Sequence, residues 1–256
     1  MMIPDLKDKV CLVTGASRGI GAAVARGFGV AGARVAVHYN SARQEAEAVA
    51  SDIAAAGGRA HILQGDISQT GTVERLLNET VSAFGRLDIL INNAGDLIRR
   101  YPIAETSDDF FDAQIATNVK PVFVACRDAI GKFRKQGGGG VIINLSSVAA
   151  RTGGGGGSGL YAASKAFVAT LTRAYAKEVA GEGIRINAVS PGVIDTPMQH
   201  RTTPAEQIAA ALGAIPMKRM ATADECVGAF LYLASNEMSG YVTGQVVEVN
   251  GGLLMP

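Results

Sequence analysis

Seven short runs of β-branched and aliphatic residues alternate with longer helical stretches, and this alternation restricts the fold of the 256-residue chain more than any other feature. The runs are VCLVT at 10–14, ARVAVHY at 33–39, AHILQGD at 60–66, LDILINN at 87–93, VIINLSS at 141–147, IRINAVS at 184–190 and QVVEVN at 245–250. Between them the pattern predicts helices in GIGAAVARGFGVAG, in the Ala-rich SARQEAEAVASDIAAAG, near 70–83, over a long region near 108–135, around Tyr161, and near 223–235. Strands joined by helix-length connections pair in parallel, and right-handed crossovers cover both faces of the resulting sheet. The expectation is therefore α/β: one doubly wound parallel sheet of seven strands in a single domain spanning 1–256. Several strands are nearly unbroken apolar runs, as burial on both faces demands.

Composition narrows the function. A formal net charge of +1, with both signs interspersed, offers no basic groove for nucleic acid and no charged face for a membrane. Cys11, Cys126 and Cys226 lie far apart without CxxC or Cys/His spacing, so neither a disulfide frame nor a metal site is expected. The start, MMIPDLKDKV, has no long apolar stretch, and a cytoplasmic location is expected. Small-molecule chemistry is the class these observations favour.

In a doubly wound sheet, ligands meet the carboxyl ends of the strands. Those ends carry TGASRGIG (Thr14 to Gly21), Asp66, Asn92-Asn93-Ala94-Gly95, Ser146-Ser147 and Ser190-Pro191-Gly192. A strand feeding a glycine-rich turn that opens a helix brings backbone N–H groups and a positive helix end to a pyrophosphate, the Rossmann-like arrangement. Gly15, Gly19 and Gly21 supply the absent side chains, with Ser17 and Ile20 between them. The end of the second strand reads His38, Tyr39, Asn40, Ser41, with no carboxylate to repel a 2′-phosphate. Arg18, inside the turn, offers a planar fork for that phosphate, assisted by Arg43, so NADP(H) is favoured over NAD(H). Asp66 is suited either to accept from an adenine amine, with Ile67 offering backbone, or to cap a helix.

Tyr161 and Lys165 stand one helical turn apart, so an ammonium can act on a phenol. A free phenol has a pKa of about 10, and general acid/base work near neutrality asks for a shift of about 3 units downward. The tracts Gly137 to Gly140 and Gly153 to Gly157 flank the fifth strand; both suit surface loops, and the second, lying between Ser147 and Tyr161, also suits a mobile rim. Arg99 and Arg100, near the expected pocket mouth, are read as solvated or as readers of an anionic substrate; Phe110 and Phe111 are read as core or subunit contacts.

Taken in order, TGASRGIG, Asp66, NNAG, Asn118, Ser147, Tyr161 with Lys165, and PGVIDTP resemble the classical short-chain dehydrogenases/reductases from Val10 to Gly252. The resemblance implies that Tyr161 is the acid/base, that Lys165 lowers its pKa and holds the nicotinamide ribose, that Ser147 rather than Ser146 binds the substrate oxygen, and that Asn118 supports a water-linked proton path. It further implies that Ile194 backbone and Thr196 bind the nicotinamide carboxamide and phosphate side after the Pro191-Gly192 turn, and that a segment near 195–216 covers the substrate. Met198, His200 and Met217 are read as ordinary packing or surface or as lining that segment, and His200 receives no role. Val119-Lys120-Pro121 after Asn118 departs from the pattern and predicts a kink. Glycines before the fifth strand and Glu182-Gly183 after the catalytic helix stand where carrier-protein reductases of the family present basic residues, so an acyl carrier protein is disfavoured. The last strand implies a homotetramer or homodimer. The leading expectation is an NADPH-dependent carbonyl reductase, reversible as a secondary-alcohol dehydrogenase. The alternatives are an NAD-dependent dehydrogenase of a sugar or other alcohol and a non-catalytic dinucleotide-binding regulator.

Overall fold

A computed structural model describes residues 3–255. Seven strands, β1 (Val10–Val13), β2 (Arg34–Tyr39), β3 (Arg59–Gln64), β4 (Ile89–Asn92), β5 (Gly140–Leu145), β6 (Ile184–Pro191) and β7 (Val246–Val249), form one sheet in the order β3-β2-β1-β4-β5-β6-β7. Every neighbouring pair is parallel. The helices are α1 (Gly19–Val30), α2 (Arg43–Ala55), α3 (Thr72–Phe84), α4 (Asp108–Asn118), α5 (Lys120–Gln136), α6 (Ala149–Thr152), α7 (Gly159–Val179), α8 (Pro197–Thr202), α9 (Ala205–Ala214), α10 (Val227–Ala234) and α11 (Asn236–Ser239).

Strand alternation divides the core in two. Cys11, Val13, Ile89, Ile91 and Ile143 point to the face covered by α1, α2 and α10, where Phe28, Ile53 and Phe230 pack against them. Leu12, Leu90 and Ile142 point to the other face, against Leu76 and Leu77 of α3, Phe133 of α5 and Val168 of α7. All three cysteines are buried free thiols. Among the described residues, no helix is long and apolar enough to cross a membrane.

The predicted long helix is two. Asn118 ends α4, Val119 leaves helical geometry at φ −109°, ψ −64°, and Pro121 sits in the first turn of α5, where its missing N–H costs nothing. The expected helix at 223–235 begins as a 3₁₀ turn, Ala223–Cys226, entered through a capping box between Thr222 and Glu225. The segment near 195–216, without a motif in sequence, is mostly helical as α8 and α9. The first glycine tract is more than a surface loop. A Cβ on Gly139 would lie 2.2 Å from the Gly183 carbonyl oxygen, and one on Gly140 would lie 2.5 Å from the Phe133 ring.

The strand order reverses between β1 and β4, because β1 pairs with β2 on one side and β4 on the other. That reversal opens a crevice at the carboxyl ends of the strands. Below it, Asn92 of β4 and Asn144 of β5, register partners, join by an Asn92 Nδ2 to Asn144 Oδ1 bond of 2.9 Å, and Asn144 Nδ2 donates to Thr172 Oγ1 of α7 at 2.9 Å. Buried amides satisfied in this way lock α7 onto the sheet at a fixed register. Replacing Leu90, fully buried in β4, by Ala is expected to destabilise the fold by about 2–5 kcal/mol, read as a lower urea midpoint at unchanged slope.

Candidate active site

The crevice is a cleft of about 640 Å³ that runs from Ala42 and Asp66 at one end to Tyr161 and Met198 at the other. Its glycine turn is shaped by contacts only glycine permits. Gly15 has φ +64°, and a Cβ there would lie 3.0 Å from Ala94 Cα; one on Gly21 would lie 2.3 Å from the Gly15 carbonyl oxygen. The α1 N-cap, Arg18, makes no side-chain cap, so the first N–H groups of this helix are left without an intrahelical partner beside the cleft. Thr14 and His38, to which the sequence assigned no role, hold the turn together with the expected Asn93. Thr14 Oγ1 accepts from Asn93 N and Ala94 N, both at 3.0 Å, and Asn93 Nδ2 donates to the carbonyls of Thr14 and Gly15 at 2.8 and 3.0 Å. His38 Nδ1 accepts from Gly15 N at 2.9 Å, so its proton resides on Nε2, which donates to the Gly65 carbonyl at 2.9 Å. Burial holds this imidazole below its usual pKa.

Sixteen of the sequence-predicted residues line the cleft: Gly15, Ser17, Arg18, Gly19, Ile20, Gly21, Asn40, Ser41, Asp66, Ile67, Asn93, Ala94, Gly95, Tyr161, Lys165 and Thr196. Asp66 does cap a turn: its Oδ1 accepts from Ser68 N and Ser68 Oγ at 3.0 and 2.8 Å, and these bonds hold its carboxyl below the ordinary range. Arg18 is paired, through Nε and Nη2, with Glu45 in the first turn of α2. The sequence reading found no carboxylate at the end of β2; the fold supplies one from the next helix. Arg43 is likewise engaged, with Glu47 at 2.8 Å.

Pro191, Gly192 and Ile194 do not line the cleft. Pro191 O accepts from Val148 N and Gly192 N donates to Val249 O, both at 2.9 Å, so this turn ties β6 to its neighbours. Ile194 is buried and bridges Ala221 in parallel, a pairing that uses Val193 O and Asp195 N and leaves the Ile194 N–H out of the bridge.

At the deep end, α7 carries Tyr161 and Lys165 over the end of β5. Lys165 is buried; its Nζ donates to Leu145 O at 2.8 Å and lies 5.7 Å from the Tyr161 ring centroid. The Ser147 hydroxyl, which accepts from Ala149 N at 3.2 Å, acts on the Tyr161 phenol in favour of its ionised form, while Ser146 turns inward and donates to Lys165 O at 3.0 Å. Neither serine lines the main cleft; both border a second, smaller cavity. Asn118 also lies outside the lining. Its Nδ2 donates to Asp96 O at 2.8 Å and its Oδ1 accepts from Asp96 N at 3.0 Å, fixing the loop after β4. It is nevertheless close to the lysine: a Cβ on Gly95 would lie 2.7 Å from Asn118 Oδ1 and 3.3 Å from Lys165 Nζ.

The expected lowering of the Tyr161 pKa is not what the protein alone produces. Burial pushes the phenol up to about 12, the Ser147 hydrogen bond opposes this, and the Asp96 charge adds to it. Burial also brings Lys165 down to about 8. Desolvation dominates because both groups leave water together, and the ammonium is spent partly on the Leu145 carbonyl. Near neutrality the phenol keeps its proton and the lysine keeps its charge, the protonation states of a donor backed by a cation.

Arg100 is neither solvated nor aimed at the cleft. Its Nη1 donates to the Gly155 and Gly156 carbonyls at 2.6 and 3.0 Å, its Nε to Thr202 O at 2.8 Å, and its Nη2 to Thr203 Oγ1 at 3.0 Å. One guanidinium therefore joins the second glycine tract to the α8 end of the covering segment, and that tract is a pinned rim. Arg99 stacks over the Tyr101 ring at 4.1 Å, and Tyr101 meets Phe110 edge-on. Arg201 of α8 reaches across the cleft mouth to Asp96 at 2.5 Å. His200 pairs with Asp195 at 2.6 Å.

A family model described as enoyl-(acyl carrier protein) reductase matches residues 15–254. The chain is 39% identical to 3beta-hydroxysteroid dehydrogenase 1 of Eggerthella lenta over 99% of its own length and 97% of that protein. In structure it is similar to an NADH-dependent reductase, A1-R', responsible for alginate metabolism (TM-score 0.90, 34% identity, 99% of this chain and 100% of that one). It is equally similar to a short chain dehydrogenase from Burkholderia cenocepacia in complex with NADP (TM-score 0.90, 33% identity, 97% and 99%). The chain belongs to the short-chain dehydrogenase/reductase family and is an NAD(P)-dependent oxidoreductase.

Arg100→Ala is expected to raise amide exchange at residues 153–157 and 202–203 together, with the sheet unchanged; Arg100→Lys, which lacks the planar fork, is expected to restore little of the protection. For His38, whose folded pKa lies below 6.5, the unfolded chain binds the extra proton first, so the stability it contributes is lost as pH falls below about 6.5. Thermal melts of the wild type are expected to show a larger drop from about pH 7 to about pH 5 than melts of His38→Gln, which cannot take up that proton.

Proposed function

We propose that this protein is an NADPH-dependent reductase of a small-molecule carbonyl compound, reversible as a secondary-alcohol dehydrogenase. The observation that carries this reading is the Tyr161 phenol, with the Lys165 ammonium 5.7 Å from its ring, at one end of a cleft whose other end is a glycine cradle. The cradle fits a dinucleotide: the uncapped start of α1 offers backbone donors to its phosphates, and Gly15 and Gly21 keep the turn closed where a Cβ would meet Ala94, Asn93 or the Gly15 carbonyl. Arg18, Asn40 and Ser41 would take the 2′-phosphate, Asp66 and Ile67 the adenine, and Thr196 with the Ile194 N–H the nicotinamide end. The bound reduced cofactor supplies the hydride.

The remaining work belongs to the chain. Ser147 holds the substrate oxygen beside the phenol, Tyr161 donates its proton to the oxygen as negative charge develops, and Lys165 stabilises the phenolate left behind. Asn118, through its hold on the Asp96 loop and its proximity to Lys165, supports the path by which Tyr161 is reprotonated. In the oxidative direction Tyr161 takes the proton from the alcohol.

The pairing of Arg18 with Glu45 supports a second reading, an NAD-dependent dehydrogenase of a sugar or other alcohol. Both side chains are half exposed, so solvent screens their attraction and the pair yields to a phosphate. NADPH is the better reading on that ground. Docking of an acyl carrier protein is disfavoured because Arg134, near the start of β5, is neutralised by a two-point pairing with Glu182 at 2.6 and 2.7 Å. A homotetramer would cover Phe123 and Phe167, exposed on α5 and α7.

Tyr161→Phe is expected to retain cofactor binding and lose turnover by about 10²–10⁴-fold, because it removes a proton and little volume. Undiminished kcat would exclude the residue from the chemistry. For the wild type, kcat for carbonyl reduction is expected to decline as pH rises through about 8, where Lys165 loses its charge while Tyr161 still holds its proton.

A further inference from the structure

We propose that Glu45 sets the cofactor preference of this site, acting as a counter-ion that a 2′-phosphate must displace from Arg18. The proposal rests on the reading of Arg18 as the phosphate residue and goes one residue beyond it. Arg18 and Glu45 come from different elements, the turn before α1 and the first turn of α2, and only the fold brings them together. Arg18 Nε and Nη2 both donate to one oxygen, Oε1, so the edge of the guanidinium suited to a phosphate is committed to Glu45. That hydrogen bond is the largest cause of the lowered pKa of the Glu45 carboxyl, which is therefore charged at neutral pH.

Among the described residues lining this end of the cleft, Arg18 is the basic side chain. The lip residues Ser17, Asn40, Ser41 and Ala42 are neutral, and Arg43, the other basic side chain of that turn, is held by Glu47. Glu45 itself stands outside the lining of the cleft, so it meets the adenosine end through Arg18. A phosphate monoester, with a charge of about −1.5 to −2 near neutrality, gains Arg18 only by breaking the pair and by tolerating the carboxylate beside it. A ribose hydroxyl gains or loses little from either. The pair thus lowers affinity for the phosphorylated cofactor selectively, and Glu45 also keeps Arg18 extended over the turn in the meantime.

The test is equilibrium binding of 2′,5′-ADP and of 5′-AMP, by calorimetry, to the wild type, Glu45→Gln, Arg18→Ala and the double variant, alongside fluorescence titration with NADPH and NADH. Glu45→Gln is expected to tighten 2′,5′-ADP and NADPH by about three- to tenfold while 5′-AMP and NADH shift by less than about twofold. In the Arg18→Ala background the same substitution is expected to lose most of that gain, since the competition requires Arg18. If Arg18→Ala weakens 2′,5′-ADP but Glu45→Gln does not tighten it, the role of Glu45 is overturned and the phosphate assignment of Arg18 stands. If Arg18→Ala leaves 2′,5′-ADP unaffected, the phosphate assignment itself fails, and the inference with it. Weakening of 5′-AMP and NADH by Glu45→Gln would make Glu45 a ribose ligand and overturn the counter-ion role.

Discussion

The cleft depends on one close approach, the packing of the turn after β1 against the turn after β4. Gly15 stands so near Ala94 that a Cβ would meet its Cα at 3.0 Å, and Gly21 closes over the Gly15 carbonyl in the same way. Strands β1 and β4 are hydrogen-bonded neighbours, so their ends arrive together; Thr14, Asn93 and His38 then tie the two turns with bonds of 2.8–3.0 Å. Each of these groups gives a backbone polar atom a partner where no regular ladder continues. The glycine turn can therefore present its remaining N–H groups to a ligand without ordering them at the moment of binding, the advantage of a preorganised site.

The deep end follows a related logic. Helix α7 is fixed to β5 through Thr172 and Asn144 and through the Ser146 bond to Lys165 O, so the Tyr161 and Lys165 side chains inherit the register of the sheet. Burial then sets their proton affinities in opposite directions, the phenol upward and the ammonium downward. An acid that keeps its proton beside a cation ready to receive the resulting negative charge is poised for donation rather than abstraction. Arg100 and Arg201 perform the mechanical counterpart at the mouth, linking the covering helix to the rim and to the loop after β4.

Much of the fold was legible because its signals are local. The apolar runs gave all seven strands to within a residue or two; the inner five, β1, β2, β4, β5 and β6, are buried on both faces, which leaves no room for polar alternation. The break between α4 and α5 could be anticipated from Pro121, whose ring forbids a continuing helix. The helices α8 and α9 could not, because neither buries a residue in the core. Of the site, Tyr161, Lys165 and the glycines were readable from spacing, and most residues named from the family pattern line the cleft. Pro191, Gly192 and Ile194 fall just behind it, where the ligand-facing atoms of such a turn are backbone.

By itself the sequence determined the class of fold, the positions of the strand ends and which side chains are chemically suited to acid/base work, because these follow from periodicity and residue type. Tertiary structure decided what surrounds those groups: Glu45 on Arg18, Asp96 near Tyr161, Ser68 on Asp66, and Arg100 inside the rim. Electrostatics and hydrogen bonding act through space, between residues tens of positions apart, and the distances that fix them exist only once the sheet has brought its ends together.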